Sequence, residues 1–244
     1  MIQKIEEISM NAWPALETVH FDGWVIRFAQ GLTKRSNSVN PIYNSKLDIN
    51  YKIEHCESFY RSRDLPVCFK MTDIAQPFGI ENILETRGYN HEFDISVQLL
   101  DIKDFKTNID KNIQILETTD DFWLDDYIKM NEMDSSDAPV LKRIIEKINL
   151  SKCLLTLRID DIAIGCGLGV VEDKFIGLFD IVIDKFYRNQ GFGQILVENI
   201  LRWGKSKGAE IGYLQVLTTN NPAIRMYGKI GFREEYKYWY RTKR

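Results

Sequence analysis

The chain has 244 residues, of which 44% are hydrophobic, 27% charged and 12% aromatic, which suits one large domain or two compact ones. That balance excludes a disordered, collagen-like or coiled-coil chain. A formal net charge of −3 argues against a dedicated nucleic-acid or membrane-surface binder. Cys56, Cys68, Cys153 and Cys166 lie far apart with no C-x-x-C pair, and His20, His55 and His91 are equally scattered. Neither a disulfide framework nor a metal site is expected from them. The start MIQKIEEISM lacks the basic and apolar regions of a signal peptide. No apolar run reaches the ~18 residues a membrane helix needs. The expected setting is the cytoplasm.

In chain order, residues 2–11 read as a helix, 23–28 as a strand and 47–63 as a long helix. A strand at 67–71, a helix at 79–86 and a strand at 93–99 follow. The polar stretch 101–112, with charges of both signs and no periodicity, is the candidate boundary between two domains. Beyond it, 113–117 reads as a strand, and 122–133 and 140–148 as helices. Residues 153–159, 162–171 and 175–183 read as three successive strands. Residues 190–207 form an amphipathic helix with Phe192, Ile195, Leu196, Ile200 and Trp203 on one face, ending at Gly208. A strand at 213–217, a short helix at 222–229 and an aromatic strand at 232–241 close the chain. Strands alternating with helices in this way imply an α/β or α+β sheet. The unit VCFKMT, helix, Gly88-Tyr89, strand is faintly repeated as LQVLTT, helix, Gly231-Phe232, strand.

The densest chemistry lies at 179–203. A strand ends near Ile183, a turn carries Arg188, Asn189, Gln190, Gly191, Phe192 and Gly193, and a helix begins at once. A helix starting directly after a strand points free N–H groups and its positive dipole end at the sheet edge, a ready anion site. Glycines at 191 and 193 permit close backbone approach or a positive φ, and Arg188 offers a charge-assisted contact. The plainer reading is a strand–helix turn whose glycines only ease packing. Neither a G-x-x-x-x-G-K-[ST] loop nor a G-x-G-x-x-G dinucleotide fingerprint is present.

A second strand–helix unit follows, with Asn220 at its mouth and Tyr227 on its helix. Taken together, Ile181-Val182-Ile183-Asp184, the R-x-x-G-x-G turn, the run from Asn220 to Tyr227, and Gly231-Phe232 resemble the GCN5-related N-acetyltransferase (GNAT) superfamily. The resemblance implies an α+β fold, an α/β/α sandwich around a mixed, twisted sheet splayed to admit acetyl-CoA. It implies that the main chain of Ile181, Val182 and Ile183 pairs with the pantetheine arm. Arg188, Asn189, Gln190, Gly191, Phe192, Gly193 and Gln194 would hold the pyrophosphate, and Asn220 would support the cofactor arm. Asn220 reads equally as a plain helix N-cap. Tyr227 matches the tyrosine that protonates the leaving thiolate, with a core aromatic as its plainer reading. Where some members carry a glutamate base this chain has Gln215, and Asp180, inside an apolar strand, is the substitute.

The implied reaction transfers the acetyl group of acetyl-CoA to a primary amine by direct attack in a ternary complex, without a metal. The rival is a non-catalytic CoA-binding or scaffold protein. Polyamines, aminoglycosides, amino acids and protein amines all stay open as acceptors, as does a homodimer. The acid-rich stretch 120–137 reads either as a rim for a cationic amine or as a solvated, capped helix face. The run YKYWY at 236–240 reads as acceptor-pocket lining or as core.

Residues 1–100 lack a glycine loop. Yet AWPA at 12–15, Asp22-Gly23-Trp24, Arg27 and the run from Gly31 to Val39 look like the first half of tandem bacterial GNAT proteins, a degenerate copy without cofactor. Arg35-Ser36-Asn37-Ser38 is either a substrate contact or a turn satisfied by its own side chains. The expectation is two tandem GNAT-like domains, the degenerate copy at 1–105 and the acetyl-CoA-binding domain at 106–244.

Overall fold

The computed structural model describes residues 1–106 and 108–244; Thr107, within the polar stretch 101–112, lies outside the described residues. The chain divides into two compact units, Met1–Ser96 with Tyr236–Arg244, and Val97–Glu235.

The first unit opens with α1 (Ile2–Ala12) and the hairpin β1 (Glu17–Phe21) and β2 (Trp24–Phe28). The two-residue strand β3 (Val39–Asn40) follows, then α2 (Ile49–Arg61), β4 (Val67–Thr72) and α3 (Ile80–Thr86). Strand β5 (Asn90–Asp101) starts in this unit and ends in the second. Helix α2 begins where Asp48 caps it by accepting from the Tyr51 N–H, and it buries Ile53, Cys56 and Tyr60, a helical spacing. All six residues of β4 are buried, as a central strand requires. Strands β1 and β3 are absent from the sequence-based expectations. Apolar alternation over five residues with three polar ones, or over two, is too short a signal.

The second unit contains β6 (Ile113–Leu116), α4 (Asp121–Asn131), α5 (Ala138–Glu146), β7 (Ser151–Ile159), β8 (Ile162–Glu172) and β9 (Phe175–Ile183). Helix α6 (Phe192–Ser206), β10 (Ile211–Leu217), α7 (Asn221–Ile230) and β11 (Arg233–Lys243) complete the chain. Its sheet runs β10-β9-β8-β7-β6. Helix α6 starts at Phe192, two residues later than the sequence pattern suggests, because Gly191 is the cap. Leu196, Val197, Ile200, Leu201 and Trp203 are buried in the core of this unit. Helix α6 approaches the sheet so closely that a Cβ on Gly165, Gly167 or Gly169 of β8 would meet side chains of Leu196 or Ile200, or of neighbouring strands. The G-x-G-x-G alternation in β8 is therefore a helix-docking face.

Each unit repeats one order of elements. A hairpin (β1/β2, β7/β8) is extended antiparallel by a third strand (β3, β9). A helix (α2, α6) then leads to a strand parallel to the third one (β4, β10). A second helix (α3, α7) ends at a left-handed glycine, Gly88 or Gly231, followed by Tyr89 or Phe232. The faint sequence repeat is thus a repeat of topology. Tyr238–Lys243 of β11 pair antiparallel with Val67–Thr72 of β4, which is why the last residues belong to the first unit.

Among the described residues no helix is long and apolar enough to cross a membrane. Among them, too, no group of three His, Cys, Asp or Glu side chains is arranged to hold a metal ion.

Candidate functional site: a split between two parallel strands and the loop above it

Strand β10 pairs with β9 from Ile211↔Phe175 only as far as Leu214↔Leu178, although β9 continues to Ile183 and β10 to Leu217. The parallel strands therefore separate toward their C-terminal ends. A bulge explains the bend. Leu168 of β8 faces Phe179 and Cys166 faces Val182, so Asp180 and Ile181 share the place opposite Gly167. Asp180 takes up the extra length in the left-handed region, φ 51. The main chain of Ile181, Val182 and Ile183 runs along the edge of that split, where an extended ligand arm can add as a strand.

Above the split, Asp184 caps a short 3-10 turn, Lys185–Tyr187, by accepting from the Phe186 N–H at 2.9 Å. The loop at 188–193 is held by its own side chains. Arg188 Nε donates to the Ile183 carbonyl at 3.0 Å, and Gln190 Nε2 to the Phe186 carbonyl at 3.2 Å. Asn189 and Gly191 adopt φ of 62° and 89°, and the Gly191 carbonyl accepts from the N–H groups of Gln194 and Ile195. The Gln194 side chain turns away to Glu198, 2.8 Å. With Arg188 Nε, Gln190 and Gln194 so engaged, the backbone N–H groups at the start of α6 are among the donors on offer, and their partial positive charge suits a phosphate. Nothing lies within 4 Å of where a Cβ on Gly191 would stand, whereas one on Gly193 would meet Met226 Sδ at 2.9 Å. Positive φ is the reason for the first glycine, and a neighbouring helix for the second.

On β10 and α7, Asn220 caps the helix by accepting from the Ala223 N–H at 3.3 Å. Tyr227 is buried in the apolar cluster of this unit, with Ile181 and Ile183 packed against the same cluster. Its ring meets Phe232 edge-on, centroids 5.8 Å apart. Burial alone pushes its hydroxyl up to about 12, with no charged or hydrogen-bonding neighbour contributing. The phenol therefore stays a proton donor throughout the neutral range. Gln215 lies half-buried on β10, the first residue beyond the last pair with β9 and so at the opening of the split.

Several residues of the other candidate segments have structural partners. In the stretch 120–137, Asp120 caps α4, Asp121 pairs with Lys142 at 2.7 Å, Asp126 with Arg158 at 3.4 Å and Glu132 with Lys185 at 2.7 Å. Burial, the largest influence on Asp126, raises its carboxyl pKa above the usual range. Tyr236, Tyr238 and Tyr240 are buried in the first unit, where the Tyr236 hydroxyl donates to Glu6 at 2.6 Å. Ser36, Asn37 and Ser38 are buried in a turn that satisfies itself. Asn37 Oδ1 accepts from the N–H groups of Ala29 and Gly31, and its Nδ2 donates to the Thr33 carbonyl.

In the first unit the segment before α2, topologically equivalent to the 188–193 loop, is occupied by a carboxylate of the chain itself. Asp22 accepts from the N–H groups of Lys46 and Leu47 at 2.9–3.1 Å, and the fully buried Lys52 lies 3.2 Å from it. The Leu47 N–H, then Lys46 and Lys52, holds the Asp22 carboxyl below its usual range. No sequence pattern announced this contact, since Asp22 and Lys52 lie thirty positions apart.

A family model described as "Probable histone acetyltransferase Rv0428c C-terminal" matches residues 1–241. The chain belongs to this family. A curated relative, the uncharacterized N-acetyltransferase YobR of Bacillus subtilis, is 28% identical over 247 residues, covering 100% of this chain and 99% of that protein. A GCN5-related N-acetyltransferase from Kribbella flavida superposes with a TM-score of 0.73 at 11% identity, covering 99% and 95% of the two chains. A tandem GNAT protein from the clavulanic acid biosynthesis pathway gives 0.65 at 11% identity, covering 98% and 87%. At such identities the likeness is one of fold. That fold is the α+β GNAT fold in tandem form, and the chain is an acyltransferase of the GNAT type.

Proposed function

We propose that this GNAT protein transfers the acetyl group of acetyl-CoA to a primary amine, by direct attack within a ternary complex. The observation that carries the reading is the parting of β9 and β10 beyond Leu214↔Leu178, directly beneath the loop at 188–193. In this reading Ile181, Val182 and Ile183 pair through their main chain with the pantetheine arm. The backbone of Arg188, Asn189, Gln190, Gly191, Phe192, Gly193 and Gln194 holds the pyrophosphate. Asn220, while capping α7, supports the cofactor arm.

Acetyl-CoA supplies an activated thioester. The amine nitrogen forms the new bond to the carbonyl carbon, the C–S bond breaks, and Tyr227 gives its proton to the departing sulfur. With the phenol pushed up to about 12 and a thiol at about 8.5, full transfer is uphill. Tyr227 therefore acts by hydrogen-bonding the departing sulfur as charge builds on it, and the proton it gives is replaced from solvent. N–H groups of the β9 edge stabilise charge on the carbonyl oxygen. The proton lost by the amine passes to Asp180 or to water, and a proton from solvent restores Tyr227. Residues 106–244 carry this machinery, and the first half, whose equivalent loop is closed by Asp22, carries none of it. The acceptor is a primary amine of a small molecule or protein.

The test is thiol release from acetyl-CoA with a broad amine panel, together with calorimetry. Gly191→Asp adds a side chain and a negative charge beside the pyrophosphate position and is expected to abolish CoA binding. Unchanged affinity would sink the loop assignment. Tyr227→Phe is expected to lower turnover by about 10²-fold or more while sparing CoA affinity. Tight CoA binding by the wild type with no turnover on any amine would instead favour a binding protein.

A further inference from the structure

In each unit a loop leads from the third strand into a helix, and the two loops differ in what meets their N–H groups. Before α6 the cap is Gly191, which has no side chain to offer the first turn. Before α2 the cap is Asp48, whose carboxylate accepts from the Tyr51 N–H at 3.0 Å. The two residues ahead of that cap, Lys46 and Leu47, give their N–H groups to the carboxylate of Asp22 at 2.9–3.1 Å. The start of α2 is thus met by acids of the chain itself.

Asp22 comes from another element, and its position is fixed. With Gly23 it forms the two-residue turn between the paired Phe21 and Trp24, at φ 42° and 82°, the conformation that Asp-Gly favours in a tight hairpin. The Gly23 carbonyl accepts from the Tyr43 N–H at 3.1 Å. A Cβ on Gly23 would collide with the main-chain carbonyls of Tyr43 and Asn44. The turn therefore lies directly against the 43–48 loop and delivers its carboxylate there.

A third donor is Lys52, in the first turn of α2. Its side chain is fully buried, with Nζ 3.2 Å from Asp22 Oδ2 and 4.0 Å from the centre of the Trp24 ring. It also donates to the Asp22 carbonyl at 2.5 Å. Two successive backbone N–H groups beside an ammonium are the donor set that recognises a phosphate. A tight turn by itself needs no buried cation, and such a cation is costly without its counter-charge. The Asp22 side chain is 19% exposed, so this cradle opens to solvent on one side.

We propose that Asp22 is a tethered anion. Its carboxylate takes the place of a ligand phosphate at the start of α2, and Lys46, Leu47 and Lys52 form an anion site that the chain itself occupies. The first unit is in this way complete without a phosphate-bearing ligand and closed to one. The inference concerns that unit alone and stands whether or not the second unit transfers acetyl groups.

The experiment uses the full chain and inorganic phosphate, with chloride at equal ionic strength as the control. Protection from hydrogen exchange is read at residues 43–61, which lie in the first unit, so phosphate held by the 188–193 loop does not enter the comparison. Asp22→Gly keeps the turn, because glycine accepts the same positive φ, and it empties the cradle. It is expected to lower protection about ten-fold in chloride, and saturating phosphate should restore most of the loss by binding the folded state. Adding Lys52→Met to Asp22→Gly should remove the phosphate response. Asp22→Asn, whose amide fills the cradle without charge, should lose protection to a smaller extent and respond little. The wild type should not respond.

Four results would overturn the proposal. Protection unchanged in Asp22→Gly or Asp22→Asn would mean that the charge does not hold the loop. A loss in Asp22→Gly that phosphate relieves no better than chloride would mean that no anion site lies beneath the carboxylate. A phosphate response that survives Lys52→Met would place the anion elsewhere. Should Asp22→Gly fail to fold in chloride, refolding in phosphate takes the place of exchange, and no recovery there counts against the proposal equally.

Discussion

Lys185 Nζ lies 2.7 Å from Glu132 Oε1, joining the end of α4 to the turn that precedes the 188–193 loop. The hydrogen bond from Lys185, its charge and, beyond it, that of Arg188 hold the Glu132 carboxyl below its usual range. A carboxylate therefore neutralises cations at the entrance to the loop. Glu132→Gln is expected to tighten CoA binding about two- to three-fold at low ionic strength, the gain fading near 0.5 M salt as screening shortens to a few ångströms. Calorimetry at two salt concentrations checks this, and a change independent of salt counts against it.

Tyr227 gives a pH dependence with a definite sign. Its folded-state pKa, raised by burial to about 12, exceeds the ordinary value of 10.0. The folded state therefore holds that proton more tightly than the unfolded chain. Its contribution to stability is whole below pH 10 and is lost as pH rises toward 12. Denaturant unfolding of wild type and Tyr227→Phe should diverge only above pH 10, with the phenylalanine variant losing less. Parallel curves across that range would refute the expectation.

Within the first unit, Lys70 and Glu6 form an ion pair of 2.6 Å whose side chains are only 5% and 1% exposed. Lys70 Nζ also lies 3.9 Å from the centre of the Tyr238 ring. Removing one buried partner strands the other. Glu6→Ala is expected to cost about 3–5 kcal/mol. Glu6→Leu/Lys70→Met in a Tyr236→Phe background should cost much less, since apolar groups of similar volume replace the ion pair and the hydroxyl that donates to Glu6 is removed with it. Urea unfolding distinguishes the two. Equal destabilisation by both variants would show that packing, not the stranded charge, dominates.

Deleting residues 236–244 removes the pairing of β4 from Tyr238↔Thr72 to Lys243↔Val67 and the buried Tyr236, Tyr238 and Tyr240. The exposed edge of a wholly buried strand is an aggregation template. Hydrogen exchange is expected to lose protection throughout β4 and α2, although the deleted segment is distant in sequence. Retained protection there would mean that β11 is dispensable to the first unit.

Much of the fold, and the elements that carry the candidate site, are legible in the sequence. Helix α6 shows its apolar stripe and glycine stop, β9 its apolar run in which Asp180 is the only charged residue, and the R-x-x-G-x-G turn stands between them. Strands β1 and β3 were not legible, because five or two residues make no periodicity. The acids of 120–137 look like a charged rim in sequence. Capping and pairing with Lys142, Arg158 and Lys185 consume much of that charge, and those partners come from other elements.

The chain's own sequence determined that a strand, a glycine turn and a helix follow one another at 175–206, because those signals are local in range. It also determined that a faint second copy of the pattern precedes them. Only the tertiary structure decided where β9 and β10 part, since a bulge depends on the register between β8 and β9. It alone showed that Gly193 faces Met226 and that Asp22 fills the equivalent place in the first unit. It also carried the last strand to β4. Those relationships join residues far apart in the chain, and close packing rather than local propensity selects them.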